Sequence, residues 1–261
     1  MFVTLSPASV QLDGTVAIVT GAAVGIGRAC ALAFSAFGAT VAVCDRDGLN
    51  LTKCVGEIEG AGGTVTPGVL DVRDGDAVRA WVDAVAAGCG HLDVVVNNAG
   101  GGFHAEFLDV TDKGQDALVK ENFTSVTNFV RAAVPHMPRT GGSIINITSI
   151  EAHRSAPGYA VYSAMKAAVA NLTQSLALEL GARSIRVNCV APDVIPTPGI
   201  GEIPVRTPLP RSGDVDDVAA AVLFLANPSL SGFMTGTTLH VDGGNRVAGG
   251  WRRGADGVFT T

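Results

Sequence analysis

No stretch of this 261-residue chain reaches the about 18 consecutive apolar residues that a membrane-spanning helix needs, although 47% of its residues are hydrophobic. A membrane span is therefore not expected. Basic clusters are also missing: Lys and Arg number 18 against 24 Asp and Glu, a net charge of -6. Nucleic acid and anionic membrane both need clustered cations, so neither is expected as a partner. The stretch Met1 to Gln11 has no positive cluster and no long apolar run, and no secretory leader is expected. Cysteine is sparse and odd in number: Cys30, Cys44, Cys54, Cys89 and Cys189 lie scattered in apolar segments without a CxxC pair. Neither they nor the five histidines have zinc-ligand spacing, so no metal is expected. They read as buried thiols in a reducing compartment, and the chain as cytoplasmic.

What is present is alternation. Short β-branched runs at Val16–Thr20, Thr40–Asp45, Thr64–Leu70, Leu92–Asn97, Ser143–Thr148, Ile185–Val190 and Thr237–Val241 are separated by Ala-rich helical stretches. Fully apolar strands joined by helices imply an α/β, Rossmann-type, doubly wound parallel sheet of seven strands. A single domain is expected over residues 12–245, with an N-terminal extension at 1–11 and a Gly- and Arg-rich tail at 246–261. No linker interrupts the domain. Pro192 to Pro210 reads as a loop over the carboxyl edge of the sheet.

Directly after the first strand comes Thr20-Gly21-Ala22-Ala23-Val24-Gly25-Ile26-Gly27-Arg28, opening a helix. Gly21 permits a tight turn, Gly25 lets a pyrophosphate approach the backbone, and Gly27 allows close helix packing. This order points to a dinucleotide. Asp45 ends the second strand, where a carboxylate can accept from both adenosine ribose hydroxyls and would repel a 2'-phosphate. Val24 stands where a basic residue could have bound that phosphate, so NAD is expected over NADP. Arg46 could swing in and tolerate the phosphate. Asp71 and Val72 follow the third strand and either meet an adenine edge or, for Asp71, cap the next helix. The turn Asn97-Asn98-Ala99-Gly100 ends the fourth strand, beside the switch point of such a sheet.

Tyr162 and Lys166 are four residues apart in a segment whose spacing predicts a helix over Ser163–Ala177, so phenol and ammonium share a face. A fixed cation favours the phenolate and moves its pKa down from about 10 towards a working range. Such a pair can exchange a proton with an alcohol or ketone.

Together these pieces resemble the short-chain dehydrogenase/reductase family, with the Thr20 to Gly27 loop, Asn97 to Gly100, Asn122, Ser149, Tyr162, Lys166 and the closing Val241-Asp242-Gly243-Gly244 in order. The resemblance covers Leu12 to Asn245. It implies a Rossmann protein, usually a homotetramer, that moves hydride between a nicotinamide cofactor and an alcohol or carbonyl. Residue by residue it implies Tyr162 as general acid/base, Lys166 on the nicotinamide ribose, Ser149 orienting the reacting oxygen, and Asn122 holding a relay water. By its own chemistry Asn122 equally reads as an amide satisfying backbone at a helix kink. Ala99 and Gly100 would line the cofactor, and Pro192, Ile195 and Thr197 would meet its carboxamide end.

Two departures from the family pattern stand out. Asp193 follows Pro192 where Gly is usual, so it either adopts unusual dihedrals or points towards the site. The loop from Thr197 to Thr207 is short, which predicts an open pocket or one completed by a neighbouring subunit. Gly101, Gly102, Phe103, Ile150, Glu151 and His153 are the pocket candidates, with Tyr159 lining the pocket or packing. Glu151 would bind a polar or cationic substrate group or be a solvated loop carboxylate. Ser163, beside the base, should point elsewhere and cap or pack. The expected function is NAD-dependent interconversion of a secondary alcohol and its ketone. An NADPH-dependent 3-oxoacyl thioester reductase and a non-catalytic dinucleotide sensor are the alternatives.

Overall fold

A computed structural model describes residues 5–198, 200, 205, 207–250, 252–254 and 259–260. Seven parallel strands form one sheet in the order β3-β2-β1-β4-β5-β6-β7: β1 (Val16–Thr20), β2 (Thr40–Asp45), β3 (Val65–Val69), β4 (Val94–Asn97), β5 (Gly142–Ile147), β6 (Ile185–Pro192) and β7 (Thr238–Val241). The order reverses between β1 and β4, which are direct neighbours. The expected doubly wound sheet is present, with strand ends differing by one or two residues.

Each side of the sheet has its own core because successive strand residues point to opposite faces. Ala17 and Val19 face α1 (Gly25–Ala36) and α2 (Gly48–Gly60), with Phe34 fully buried among them. Ile18 and Val95 face α3 (Gly75–Cys89), where Trp81 meets Phe129 edge-on with ring centroids 6.3 Å apart. Truncating a buried aromatic such as Phe34 to alanine costs about 3–5 kcal/mol. The sequence expectation of uniformly apolar strands fails at the edge. β3 is partly exposed and contains Pro67 and Gly68, which an edge strand tolerates. A Cβ on Gly68 would lie 2.3 Å from Trp81 Nε1, so the glycine is what lets the indole cover this edge.

Two helices are interrupted or extended where the site is built. Between α4 (Asp112–Val119) and α5 (Ser125–Ala133), one wide π turn spans Lys120–Thr124 and contains Asn122, the kink anticipated for that residue. Helix α6 runs Ala160–Leu180 rather than Ser163–Ala177, which brings Tyr162 inside its first turn. Ser163 does not cap: it lies inside the first turn, and its Oγ donates back to Ala160 O at 3.0 Å. After β6, the chain reaches α7 (Val215–Ala226), α8 (Pro228–Ser231), β7 and α9 (Asn245–Ala248). The short loop at 198–206 lies largely outside the described residues. In the tail, Arg252–Arg253 pairs antiparallel with Phe259–Thr260.

No helix among the described residues is long and apolar enough to cross a membrane. The five cysteines are free; four are buried and Cys89 is half-buried. Burial pushes the Cys30 thiol up to about 12, so it is inert at neutral pH.

Candidate active site

A cavity of about 1110 Å³ opens along the carboxyl ends of the strands. Its first end is made of backbone. Gly21 and Gly25 have φ of 66° and 61°, a conformation that side chains disfavour. Gly27 does not line the cavity: a Cβ there would fall 2.1 Å from Gly21 O and 2.5 Å from Asn98 Nδ2. It lets α1 approach the turn. The residue that starts α1, Val24, has no side chain able to accept, so the first-turn N–H groups beside Gly25 and Ile26 keep their donor capacity. That is a cradle for an anionic group such as a pyrophosphate.

Asp45 lines the same end, with its carboxylate fixed by Ala23 N and Asp47 N, each donating at 3.0 Å. Arg46 is also there, mostly exposed and 3.8 Å from Glu121. Asp71 and Val72 reach the cavity, and the capping alternative for Asp71 is wrong: Asp74 caps α3 through the N–H groups of Asp76 and Ala77. Asp71 instead accepts from Arg73 Nε at 2.9 Å, and this bond holds its carboxyl below the usual range.

The turn after β4 is stitched to the glycine turn. Thr20 Oγ1 accepts from Asn98 N and Ala99 N at 3.0 and 2.9 Å, while Asn98 Nδ2 donates to Thr20 O and Gly21 O. Sequence reasoning passed over Thr20, because a threonine ending a buried strand reads as β propensity alone. Asn98, Ala99 and Gly100 all line the cavity.

At the other end Ser149, Tyr162 and Lys166 converge. Ser149 follows β5 in extended conformation and its Oγ accepts from Glu151 N at 3.2 Å. Lys166 is buried; its Nζ lies 5.6 Å from the Tyr162 ring centroid and donates to Ile147 O at 2.9 Å. Burial pulls the amine down to about 8, against smaller opposing effects of Cys189 and Glu121.

One sequence expectation is reversed here. The Tyr162 phenol lies above its ordinary pKa, not below, because burial disfavours the phenolate more than the Ser149 hydroxyl favours it, and the Glu151 carboxylate adds to the rise. The Lys166 ammonium, 5.6 Å from the ring centroid and bonded to Ile147 O, does not reverse that direction.

Asn122 stands behind the wall rather than in it. Its Nδ2 donates to Gly101 O at 2.8 Å and Leu118 O at 3.0 Å, and its Oδ1 accepts from Gly101 N at 3.1 Å. A Cβ on Gly100 would lie 2.8 Å from Asn122 Oδ1 and 3.0 Å from Lys166 Nζ, so the glycine keeps the two groups adjacent.

Among the pocket candidates, Gly101, Gly102, Ile150, Glu151 and Tyr159 line the cavity. Phe103 does not; it turns outward, 44% exposed, against Gly114. The backbone at Gly102 runs against the Tyr162 ring, where a Cβ would come within 3.0 Å, and the following side chain is placed against Gly114 instead. Tyr159 packs edge-on against His104 at 5.4 Å and Tyr162 at 6.4 Å. Glu151 is not a freely solvated carboxylate: Arg154 Nη2 donates to it at 2.8 Å. His153 stays off the cavity and meets His240, ring centroids 4.7 Å apart. Arg154, which sequence reasoning missed, lines the cavity because a tight turn after Ser149 folds it back, and residue spacing carries no signal for that.

Pro192, Ile195 and Thr197 line the cavity after β6. Asp193 does not use unusual dihedrals; among the described residues Ser184 is the only non-glycine with positive φ. It points inward and lines the wall.

A family model described as Enoyl-(Acyl carrier protein) reductase matches residues 21–246. The chain is 40% identical to the 3-oxoacyl-(acyl-carrier-protein) reductase of Thermotoga maritima, over 90% of this chain and 98% of that one. The chain is a short-chain dehydrogenase/reductase. Solved members of the family superimpose closely on it. A 7α-hydroxysteroid dehydrogenase complexed with NADH and 7-oxo glycochenodeoxycholic acid matches with a TM-score of 0.88 and 32% identity, covering 92% of this chain and 98% of that one. A short-chain dehydrogenase of Mycobacterium paratuberculosis bound to NAD matches with a TM-score of 0.85 and 32% identity, covering 91% and 99%. As a short-chain dehydrogenase/reductase, the chain is an oxidoreductase with a nicotinamide dinucleotide site and a small-molecule substrate. Among the described residues no group of three or more His, Cys, Asp or Glu could hold a metal ion.

Proposed function

We propose that this short-chain dehydrogenase/reductase interconverts a secondary alcohol and its ketone with NAD(H), using Tyr162 as general acid/base. The observation that carries the reading is the meeting of Ser149, Tyr162 and Lys166 in one cavity with a glycine cradle at its far end. The α1 N-terminus and the Gly25 turn fit a pyrophosphate, and Asp45 fits a ribose diol. Asp71 and Val72 fit the adenine side, and Ile195 and Thr197 the nicotinamide side.

When bound, NAD supplies the two-electron acceptor for the carbinol hydride. The protein's own part is positioning and proton movement. Ser149 orients the substrate oxygen, Tyr162 takes the hydroxyl proton, and Lys166 stands by to place the cofactor ribose and pass the proton on beside Asn122. Acid/base catalysis contributes about 10²–10⁴-fold. Because burial keeps the Tyr162 phenol protonated in the free protein, alcohol oxidation should accelerate as pH rises, while ketone reduction begins with the proton in place.

Asp45 supports NAD over NADP, since its carboxylate is fixed by two backbone N–H groups and cannot easily turn away from a 2'-phosphate. A cytoplasmic homotetramer completes the reading, supported by free thiols and by α6, which leaves Leu178 85% exposed for a neighbour. Size-exclusion chromatography at the mass of a single chain would remove the tetramer.

A second reading, NADPH-dependent reduction of a 3-oxoacyl thioester, is favoured by the identity to the Thermotoga maritima reductase. Absorbance at 340 nm separates the two: NAD with a diverse panel of secondary alcohols against NADPH with acetoacetyl-CoA. NADH formation supports the first. Turnover confined to NADPH and the thioester replaces it with the second, and cofactor binding without any turnover would leave a dinucleotide sensor.

A further inference from the structure

Two cavities share one thin wall. A second cavity of about 360 Å³ lies beside the first, and Asp193, Val194 and Ile195 line both. A loop with open space on each face lacks the packing that normally fixes a backbone, so a few contacts must set its position. Ile195, 3% exposed, provides one pin, close enough to Gly213 that a Cβ there would meet its Cδ1 at 2.5 Å. Val194 is 47% exposed and offers little.

The other pin is polar. Asp193 N donates to Val241 O at 3.1 Å, and Asp193 Oδ2 accepts from Asn245 Nδ2 at 2.6 Å. Its second oxygen lies 3.6 Å from Arg154 Nη2, the same group that holds Glu151. Asn245 is itself held in place: Asp242 accepts from Gly244 N at 2.9 Å and Arg246 N at 2.8 Å, on either side of it. The Asp193 side chain, 10% exposed, thus joins the loops after β5, β6 and β7. Beyond the wall, Thr197 reaches the glycine turn, where a Cβ on Gly25 would come 3.1 Å from its Cγ2.

We propose that Asp193 is a positioning residue whose carboxylate, clasped by Asn245 and Arg154, holds the Asp193–Thr197 loop in place for the nicotinamide half of the cofactor. The inference rests on the dinucleotide reading above and acts through Ile195 and Thr197, not through the reacting atoms. A glycine at this position would have neither bond.

The test compares a ligand that reaches this loop with one that stops short of it. NADH binding is followed by nicotinamide fluorescence and ADP-ribose binding by calorimetry, on wild type, Asp193→Ala, Asn245→Ala, the double variant and Asp193→Asn. Asp193→Ala and Asn245→Ala should each weaken NADH about fivefold or more while ADP-ribose stays within about twofold, and the double variant should lose no more than either single one. Asp193→Asn, which can still accept from Asn245, should recover most of the affinity. Unchanged NADH affinity in both alanine variants, or equal weakening of NADH and ADP-ribose, overturns the clasp and leaves the dinucleotide reading standing. A wild type that prefers NADPH takes the same series with NADPH and 2'-phospho-ADP-ribose. A wild type that binds neither dinucleotide overturns both.

Discussion

The two ends of the large cavity are built from different materials. From β1 to β3 the anion cradle is backbone, glycine turns and a helix start tied together by the Thr20 hydroxyl, and the side chains of Asp45, Arg46 and Asp71 line the cavity beside it. From β5 to β7 the walls are loops whose polar side chains hold one another, Glu151 to Arg154 and Asp193 to Asn245. A backbone site has little freedom to respond to pH or to substitution of surface groups. A site made of charged side chains can be retuned by single changes, so this end should carry both the chemistry and the substrate preference.

The largest expected effect lies at the side-chain end. Tyr162→Phe should lower kcat/KM by about 10²–10⁴-fold while leaving NADH binding intact, measured by steady-state turnover and fluorescence titration. Wild-type turnover in that variant would remove Tyr162 from the mechanism. Lys166→Met should act in opposite directions on activity and stability. The folded pKa of Lys166, about 8, lies below its ordinary 10.5, so the fold favours the neutral amine. That stability is present above about 10.5 and lost as pH falls through 8, leaving a charged amine buried at neutral pH. Removing it should abolish turnover yet raise the unfolding free energy by at most about 3 kcal/mol, read by urea denaturation at pH 7.

The glycine cradle should respond without discrimination, and Asp45 beside it should discriminate. Gly27→Ala forces a Cβ against Gly21 O, an overpacking cost of about 1–3 kcal/mol, and should weaken ADP-ribose and NADH together. A variant that lost only NADH would show that the cradle is not where the adenosine half binds. Asp45→Asn keeps an acceptor for Ala23 N and removes the charge. It should raise the NADP to NAD ratio of kcat/KM about tenfold, or about 1.4 kcal/mol.

The smallest effect tests the charged end by acid. His153 and His240 are held below their ordinary 6.5, chiefly by burial; the His153 ring adds to this at His240, Arg246 adds at both, and Asp242 opposes at His240. Neutral rings are favoured in the fold, so the stability they contribute is present above about pH 6.5 and falls away below it. The melting temperature should drop modestly between pH 7 and 5.5, and His240→Phe should reduce that drop. An identical slope in both proteins would exclude the pair.

What was readable in the sequence follows the same division. The glycine turn, Asp45 and the Tyr162–Lys166 pair depend on short spacings fixed by strand and helix geometry, so residue order sufficed to bring them together. Phe103 and Arg154 depend on how loops fold back, at Gly102 against Tyr162 and at the turn after Ser149. The direction of the Tyr162 shift failed for a related reason. Spacing gives the neighbour's charge, but the water excluded from both groups is a property of the whole cavity.

Behind the chemistry, Asn97 Nδ2 donates to Asn146 Oδ1 at 2.8 Å, and Asn146 Nδ2 donates to Thr173 Oγ1 at 2.8 Å, all three residues fully or nearly fully buried. This chain links β4, β5 and α6 at one level. Apolar packing alone would accept α6 sliding along the sheet with modest loss, but any slip would strand two amides in hydrocarbon, at about 1–3 kcal/mol for each group left unmade. The folding chain therefore has one docking position for the helix that carries Tyr162 and Lys166, and misdocked intermediates are penalised before any ligand arrives.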